Sequence, residues 1–247
     1  MYLKIIACNV FFRELSYCAA QSPHTIDLDF FELGEHVHCD KLHKTIQSRI
    51  DQAEQAEKPY DAILLGFGLC GNAAKGLHAA KTRLIIPRAH DCCTILLGDK
   101  ARFKEHFQDN PSTPFSSVGY MERGEYFVRQ DDGQIMYGDA YAELVKQYGE
   151  DDAKYIWDSM HPKMEGMEDR AVFIDIPEIH FPEKIDAFKQ KAEAEGKKFV
   201  LLQGSLDIIR NLVNGNWPDA DFLTVEPGQQ ITAVYDWECV LGCSCMG

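Results

Sequence analysis

Short apolar runs alternate with helix-like segments along the first half of the chain. Tyr2–Cys8 is typical of a buried strand, and Leu42, Ile46 and Ile50 recur on one face of a helix predicted over residues 40–57. Further strands are predicted at residues 25–32, 60–65 and 83–87, with a helix at 11–21. Strands that alternate with helices in this way predict an α/β fold, a parallel sheet with flanking helices.

The pattern changes after residue 116. Aromatic and β-branched residues surround Asp132-Gly133 in the segment 117–137, which predicts a β-hairpin insertion followed by a helix at 140–160. Strands are then predicted at 171–176, 199–203 and 221–225, with helices at 182–194 and 205–213. The sequence leaves open two α/β lobes or one doubly wound sheet. We divide it into an N-terminal half (1–116), the insertion (117–160) and a C-terminal half with a cysteine-rich tail (161–247).

Charge and hydropathy narrow the range of partners. The formal net charge of −14 repels a phosphate backbone, so nucleic acid is not expected as a partner. No apolar run reaches the ~20 residues of a membrane-spanning helix, and residues 1–10 lack the pattern of a secretory signal. We therefore expect a cytoplasmic protein that has no membrane partner.

Nine cysteines, an odd number, cannot all pair within one chain. Without a secretory signal such cysteines are expected to act as ligands, nucleophiles or core residues. Cys18, beside two alanines on a predicted helix, is assigned to the core. For Cys93 the sequence does not decide between a core role and a functional role.

A glycine-rich loop follows the third predicted strand. Gly66, Gly68, Gly71 and Asn72 are candidate cofactor-binding residues, and the glycines formally fit a dinucleotide-binding fingerprint. The position after the third strand and the lack of an acidic residue about 20 positions later disfavour that interpretation. The glycines instead favour a sharp turn that presents Cys70 near a ligand.

Candidate ligands and catalytic groups follow the predicted strands. Because the carboxyl ends of parallel strands meet at one edge of a sheet, we expect the Cys and His side chains there to lie together and to form a metal site. Glu14 and Asp91 are candidate proton carriers or partners of the histidine, and Arg88 a candidate for holding an anionic substrate. The predicted metal ligands at this edge are Cys8, Cys70, His90 and Cys92.

The C-terminal tail holds a second thiol cluster. Cys239, Cys243 and Cys245 lie within seven residues and are flanked by glycines, so they are candidate ligands of a metal or partners in disulfide exchange. They could also complete the first site. We expect the last strand to end near residues 235–238, so that the tail adds little to the core.

The segments LLGFGLCGN (64–72), IPRAHDC (86–92) and LLG (96–98) together resemble domain-of-unknown-function family 1638. The resemblance extends from Cys8 to Pro227-Gly228. It implies a companion of corrinoid-dependent methyltransferases, with a methyltransferase or corrinoid protein as a partner. The chain lacks the D-x-H-x-x-G signature of corrinoid carriers, so a corrinoid would reach it only through that partner.

Three functions compete at this stage. The first is an enzyme or accessory enzyme, a metal-dependent methyltransferase or redox enzyme, that uses zinc or an iron–sulfur cluster on a small-molecule ligand or methyl donor. The second is a non-catalytic metal or cofactor chaperone that docks on a methyltransferase. The third is a metal-free cysteine nucleophile, with Cys70 or Cys92 beside His90.

Overall fold

The computed structural model describes residues 1–32, 39–70, 72–108, 113–123, 145, 149–150, 169–234 and 239–246. The strands are β1 (Tyr2–Cys8), β2 (Thr25–Phe31), β3 (Ala62–Gly66), β4 (Leu84–Pro87), β5 (Phe115–Ser116), β6 (Arg170–Asp175), β7 (Lys198–Gln203), β8 (Phe222–Val225), β9 (Gln229–Ala233) and β10 (Leu241–Cys245). The helices are α1 (Phe12–Ala19), α2 (Cys39–Ala53), α3 (Cys92–Leu97), α4 (Lys100–Phe107), α5 (Val118–Arg123), α6 (Pro182–Ala194) and α7 (Asp207–Val213). Within these ranges no helix is both long and apolar enough to cross a membrane.

The first sheet has the strand order β2-β1-β3-β4-β8. β1 to β4 run parallel, and β8 joins β4 antiparallel. Every residue of β3 and β4 is buried, as expected for central strands covered by helices on both faces. Leu42, Ile46 and Ile50 of α2 are at most 1% exposed, so the predicted helix face is the buried one. The predicted α/β fold with a parallel sheet and flanking helices is confirmed.

A second parallel sheet has the order β5-β6-β7. β5, β6 and β7 thus form a sheet separate from the mostly parallel first sheet, so the described parallel strands do not belong to a single sheet. Side chains alternate along β6: Val172 and Ile174 join the core of the first sheet, whereas Ala171 and Phe173 pack with α6 in a smaller cluster. The ring of Phe173 lies 5.4 Å from that of Phe188 on α6, edge to face.

The two sheets meet where α5 packs on the 3-10 turn Asn9–Phe11, just after β1. The contact is close because Gly119 has no side chain: a Cβ there would lie 1.8 Å from the backbone oxygen of Val10. The bidentate bond from Arg13 to Glu122, with both N···O distances at 2.7 Å, joins α1 to α5 beside it. Helix α5, which follows β5, is therefore held directly against the turn that follows β1.

The antiparallel hairpin of the structure is formed by β9 and β10. The hairpin predicted around Asp132-Gly133 and the helix predicted over 140–160 fall almost entirely outside the described residues. Residues 118–123, at the start of the predicted hairpin, form helix α5, so the strand prediction is wrong there. Buried Val118 and Tyr120 are the reason, because α5 packs them inward.

The C-terminal tail belongs to the core. Val240 and Leu241 are both 0% exposed, and the backbone N–H of Val234 donates to the oxygen of Val240 at 2.9 Å. The expectation that residues after 238 add little to the core is therefore wrong. Residues 234–240, which connect β9 to β10, contain no glycine and so lack the turn signal that usually marks a hairpin. The local sequence therefore gives little indication of strand β10.

Candidate functional site

Three thiols from three neighbouring parts of the chain meet at the carboxyl edge of the first sheet. Cys8 ends β1, Cys70 lies in the loop after β3, and Cys92 begins α3 after β4. The thiol of Cys92 hydrogen-bonds with the thiols of Cys70 and Cys8. All three residues are at most 3% exposed. We call Cys8, Cys70 and Cys92 the thiol cluster.

The loops after β3 and β4 are joined along their backbones. The N–H of Leu69 donates to the oxygen of Ala89 at 2.9 Å, and the N–H of Cys70 donates to that of His90 at 3.0 Å. This approach requires Gly68, because a Cβ there would lie 2.6 Å from the oxygen of Ala89. A Cβ at Gly66 would lie equally close, at 2.6 Å, to the Cβ of Ala7 on β1. The structure thus gives Gly66 and Gly68 a packing role, and cofactor binding by this loop stays a prediction.

The loop that carries Cys70 has an unusual backbone. Cys70 has φ 46° and Asn72 has φ 74°, both in the left-handed region that non-glycine residues rarely adopt. Gly71, between them, lies outside the described residues. Such conformations cost about 1–3 kcal/mol each and cluster at functional sites. The Cys70 thiol is therefore held in place by a strained loop.

The surroundings of three buried cysteines, Cys92, Cys93 and Cys18, favour the protonated thiol. The hydrogen bond from Cys70 lowers the pKa of Cys92, but the hydrogen bond with Cys8 and burial outweigh it, so the pKa lies well above that of an ordinary thiol. Burial, together with nearby Asp91, also raises the pKa of Cys93 well above the usual value. Burial raises the pKa of Cys18 to about 11. None of these three thiols resembles an activated nucleophile.

His90 and Asp91 connect the thiol cluster to helices α3 and α4. The carboxylate of Asp91 caps α3 by accepting from the backbone N–H of Thr94 at 3.1 Å. Burial raises the pKa of this carboxyl, although the bond from Thr94 acts in the opposite direction. The ring of His90 stacks on Phe103 of α4 at 5.9 Å between centroids. Asp91 thus orients the helix that begins with Cys92.

Arg88 fastens the β9–β10 hairpin to the loop before Cys92. Its guanidinium donates to the backbone oxygen of Asp219 at 2.8 Å, to that of Cys239 at 3.1 Å, and to that of Leu241. The hairpin is also held to the chain after Cys70, because the N–H of Gly76 donates to the oxygen of Ile231 at 2.8 Å. Both loops of the thiol cluster are therefore in contact with the hairpin. Substrate binding by Arg88 stays a prediction.

Glu14 is buried away from water on α1. It is 1% exposed, and among the described residues none is within hydrogen-bond distance of its Oε2 atom. Burial raises the pKa of the carboxyl to about 7, although the residue's own backbone N–H lowers it. Its charged neighbours are Arg13 and Glu122. Glu14 can therefore exchange a proton near neutral pH.

The raised pKa of Glu14 predicts a specific dependence of stability on pH. Because the pKa of about 7 in the folded chain exceeds its ordinary 4.5, the stabilisation is complete below pH 4.5 and is lost as pH rises through 7. Glu14→Gln cannot ionise, so we expect the difference in unfolding free energy between pH 5 and pH 8 to shrink by about 2–3 kcal/mol. Urea denaturation at both pH values measures this. Glu193→Gln, at an exposed position, is the control, and an unchanged pH dependence in Glu14→Gln would contradict the prediction.

The tail cysteines lie apart from the buried thiols. Cys239, Cys243 and Cys245 are all exposed, and the last two belong to β10. Within the part of the chain that the structure describes, no group of three or more His, Cys, Asp or Glu side chains is placed so that it could hold a metal ion. The structure thus shows mutual contact of the buried thiols, and metal binding stays a prediction for both groups.

A small apolar cavity lies between the ends of β3 and β4 and helices α1, α3 and α7. Its volume of 10 Å³ is about that of a single water molecule. The residues that line it are apolar and include Leu15, Gly66, Pro87 and residues of α7. This cavity is too small to hold a substrate, so the thiol cluster remains the better candidate for a site.

An Asp–His pair lies at the end of β6 in the second sheet. This pair was not identified as a candidate from the sequence. His180 Nδ1 lies 2.7 Å from Asp175 Oδ2, where β6 ends and a 3-10 turn begins. Asp175 is mostly buried, whereas the side chain of His180 is 47% exposed. The position of Asp175 at a strand end was available as a signal. The turn Pro177–Ile179 brings His180 back into contact with Asp175, and the five-residue spacing of the two side chains does not by itself reveal this turn.

Comparisons with known proteins give one match. A family model described as a protein of unknown function (DUF1638) matches residues 30–213, which include Cys70, His90 and Cys92. No curated protein and no solved structure matches the chain.

Proposed function

We propose a function for this chain, which belongs to the protein family of unknown function DUF1638: it is a metal-dependent protein in which Cys8, Cys70 and Cys92 hold a zinc ion or an iron–sulfur cluster as thiolates. The observation that carries the proposal is the hydrogen bonding of Cys92 to both other thiols. Soft thiolates select zinc, copper(I) and iron–sulfur clusters.

The number of thiols in contact favours a reactive centre over a structural one. Structural zinc sites are closed by four protein ligands, whereas catalytic sites use three and leave one position for water or substrate. Cys8, Cys70 and Cys92 supply three. The three thiols lie outside the carboxyl ends of parallel strands, and this is where ligands bind in open α/β sheets.

The raised pKa of Cys92 favours a metal over a metal-free nucleophile. A thiol that stays protonated at neutral pH attacks slowly, because the thiolate is the nucleophile. A bound cation removes the proton outright, which converts the disfavoured thiolate into a stable ligand. Binding would then release protons, and it would require the thiols to draw closer around the ion.

The segments that carry the thiols differ in how readily they can adjust. Cys70 and Asn72 already occupy strained backbone conformations, so their loop has less to lose on rearranging than a relaxed one. Cys92, by contrast, is the first residue of helix α3, which Asp91 caps by accepting from the backbone N–H of Thr94. The ion would therefore be met by Cys8 at the end of a strand, by Cys92 at the start of a helix, and by Cys70 in an adjustable loop.

The chemistry of such a centre fits the methyl transfer that the sequence resemblance implies. A zinc ion held by Cys8, Cys70 and Cys92 would supply a Lewis acid that keeps a thiol substrate deprotonated, as methyl transfer to sulfur requires, whereas a cluster would supply electrons. We therefore propose an enzyme or accessory enzyme of corrinoid-linked methyl transfer, which meets the corrinoid on a partner protein. Glu14, with a pKa of about 7, is a further candidate for moving the proton.

Metal analysis with matched variants tests the proposal. We expect the anaerobically purified chain to hold about one zinc ion or one cluster and to give sulfur-to-cobalt charge-transfer bands on reconstitution with Co²⁺. Cys70→Ser and Cys92→Ser should each lower affinity at least about tenfold, since losing even a hydrogen-bond partner of a ligand costs 10–100-fold. All of these variants are made in a chain that also carries Cys239→Ser, Cys243→Ser and Cys245→Ser, so that the exposed thiols do not contribute to the metal content.

Cys18→Ser is the matched control because it also buries a hydroxyl in place of a buried thiol. It should keep full metal content and lose only modest stability. Equal metal loss in Cys18→Ser, or a wild-type chain that binds neither zinc nor iron, would overturn the proposal.

A further inference from the structure

We propose that Cys243 and Cys245 form a second metal site, specific for a soft monovalent cation of the copper(I) type and separate from the thiol cluster. The proposal goes beyond the function above and does not rest on it. It rests on the strand that carries the two cysteines, their exposure, and the distance at which the strand holds them.

Strand geometry places the two thiols on one face of the hairpin. In β10, Cys243 pairs with Ile231 and Cys245 with Gln229 on β9. Since successive side chains of a strand point to opposite faces, residues 243 and 245 share a face and Ser244 lies on the other. Both cysteines are exposed. Among the described strands β10 pairs with β9 alone.

The spacing disfavours a disulfide between the two cysteines. Two residues of extended strand rise about 6.6 Å, and parallel side chains keep their Cβ atoms about that far apart. A disulfide needs Cβ atoms about 3.5–4.5 Å apart, so closing one would distort β10. A metal between the sulfurs, with each metal–sulfur bond about 2.3 Å long, tolerates sulfurs up to about 4.6 Å apart. The strand therefore favours a bridging ion.

The number of thiols selects the ion. Two thiolates satisfy copper(I), which accepts two soft ligands in a line, whereas zinc sites in proteins use three or four protein ligands. Binding exchanges two protons for one copper(I) ion and involves no change of oxidation state.

The hairpin is anchored, so this pair forms a site of its own. Ile231, the partner of Cys243, exchanges backbone hydrogen bonds with the chain at Gly76 and Leu77, at 2.8 and 3.0 Å. Arg88 holds the carbonyl of Leu241 at the start of β10. These contacts fix β10 on the surface, while the thiol cluster is buried. The outer pair is therefore accessible to a copper carrier or chelator from solvent.

Titration with copper(I) against the chelator bathocuproine disulfonate, under anaerobic conditions and with the full chain, tests the proposal. We expect Cys243→Ser, Cys245→Ser and the double variant each to lose one equivalent of tightly bound copper relative to wild type. Cys239→Ser removes an equally exposed thiol outside the pair and should lose none. X-ray absorption of the loaded site should show two sulfur neighbours.

A contrary result would be clear. If Cys239→Ser lost as much copper as Cys243→Ser, binding would reflect exposed thiols in general, and if no variant lost an equivalent, the pair would not be a site. Cys92→Ser separates this proposal from the function above: it should abolish binding at the thiol cluster and leave the outer equivalent in place.

Discussion

Replacing Gly119 with alanine should severely destabilise the fold. The new Cβ would lie 1.8 Å from the oxygen of Val10 and 2.8 Å from its carbonyl carbon, far inside contact distance. Backbone atoms cannot rotate away as a side chain can, so α5 must move from the 3-10 turn after β1. Moving α5 also pulls Glu122 from Arg13. We expect a loss of more than about 3 kcal/mol, at the upper end of the range for overpacked sites.

Guanidinium denaturation followed by circular dichroism measures the effect, and Gly196→Ala is the matched control. Gly196 has φ +72°, and a Cβ there would have no atom of the described residues within 4 Å, so alanine costs only the backbone strain of about 1–2 kcal/mol. A Gly119→Ala chain as stable as Gly196→Ala would show that the contact between the two sheets yields easily.

Much of the fold could be predicted because the first sheet is encoded locally. β1 and α2 follow from a continuous apolar run and from a helix-spaced stripe, and both are buried where expected. The strand β8 was found, but its antiparallel direction was not, because direction depends on partners far away in sequence. β9 and β10 are held by Gly76 and Arg88, contacts more than a hundred residues away that no local pattern records.

The same division holds for the candidate site. The mutual contact of Cys8, Cys70 and Cys92 follows from strand order, because each lies at or just after a strand that ends at the same edge. The left-handed backbone of Cys70 could not be predicted, because glycine is the residue that marks such positions. The packing of Arg88 against four backbone oxygens was also hidden, since two of them belong to the distant tail.

Truncation of the tail should have opposite outcomes depending on where the chain is cut. Removing residues 239–247 deletes Val240 and Leu241, both fully buried. Burying one such side chain contributes about 1.5–3 kcal/mol, so their loss costs about 3–6 kcal/mol. Arg88 would also lose two of its backbone acceptors. Since a domain is stable by only about 5–15 kcal/mol, we expect this variant to be insoluble or largely unfolded.

Removing only residues 242–247 is the matched experiment. This shorter deletion keeps Val240, Leu241 and the acceptors of Arg88, but it removes Cys243, Cys245 and most of the exposed strand β10. We expect a soluble chain with a clear unfolding transition, an intact thiol cluster and no outer copper site. Thermal denaturation and metal content of the two truncations decide the matter. Equal solubility and equal melting temperatures would mean that Val240 and Leu241 contribute little, and that the hairpin is held by β9 alone.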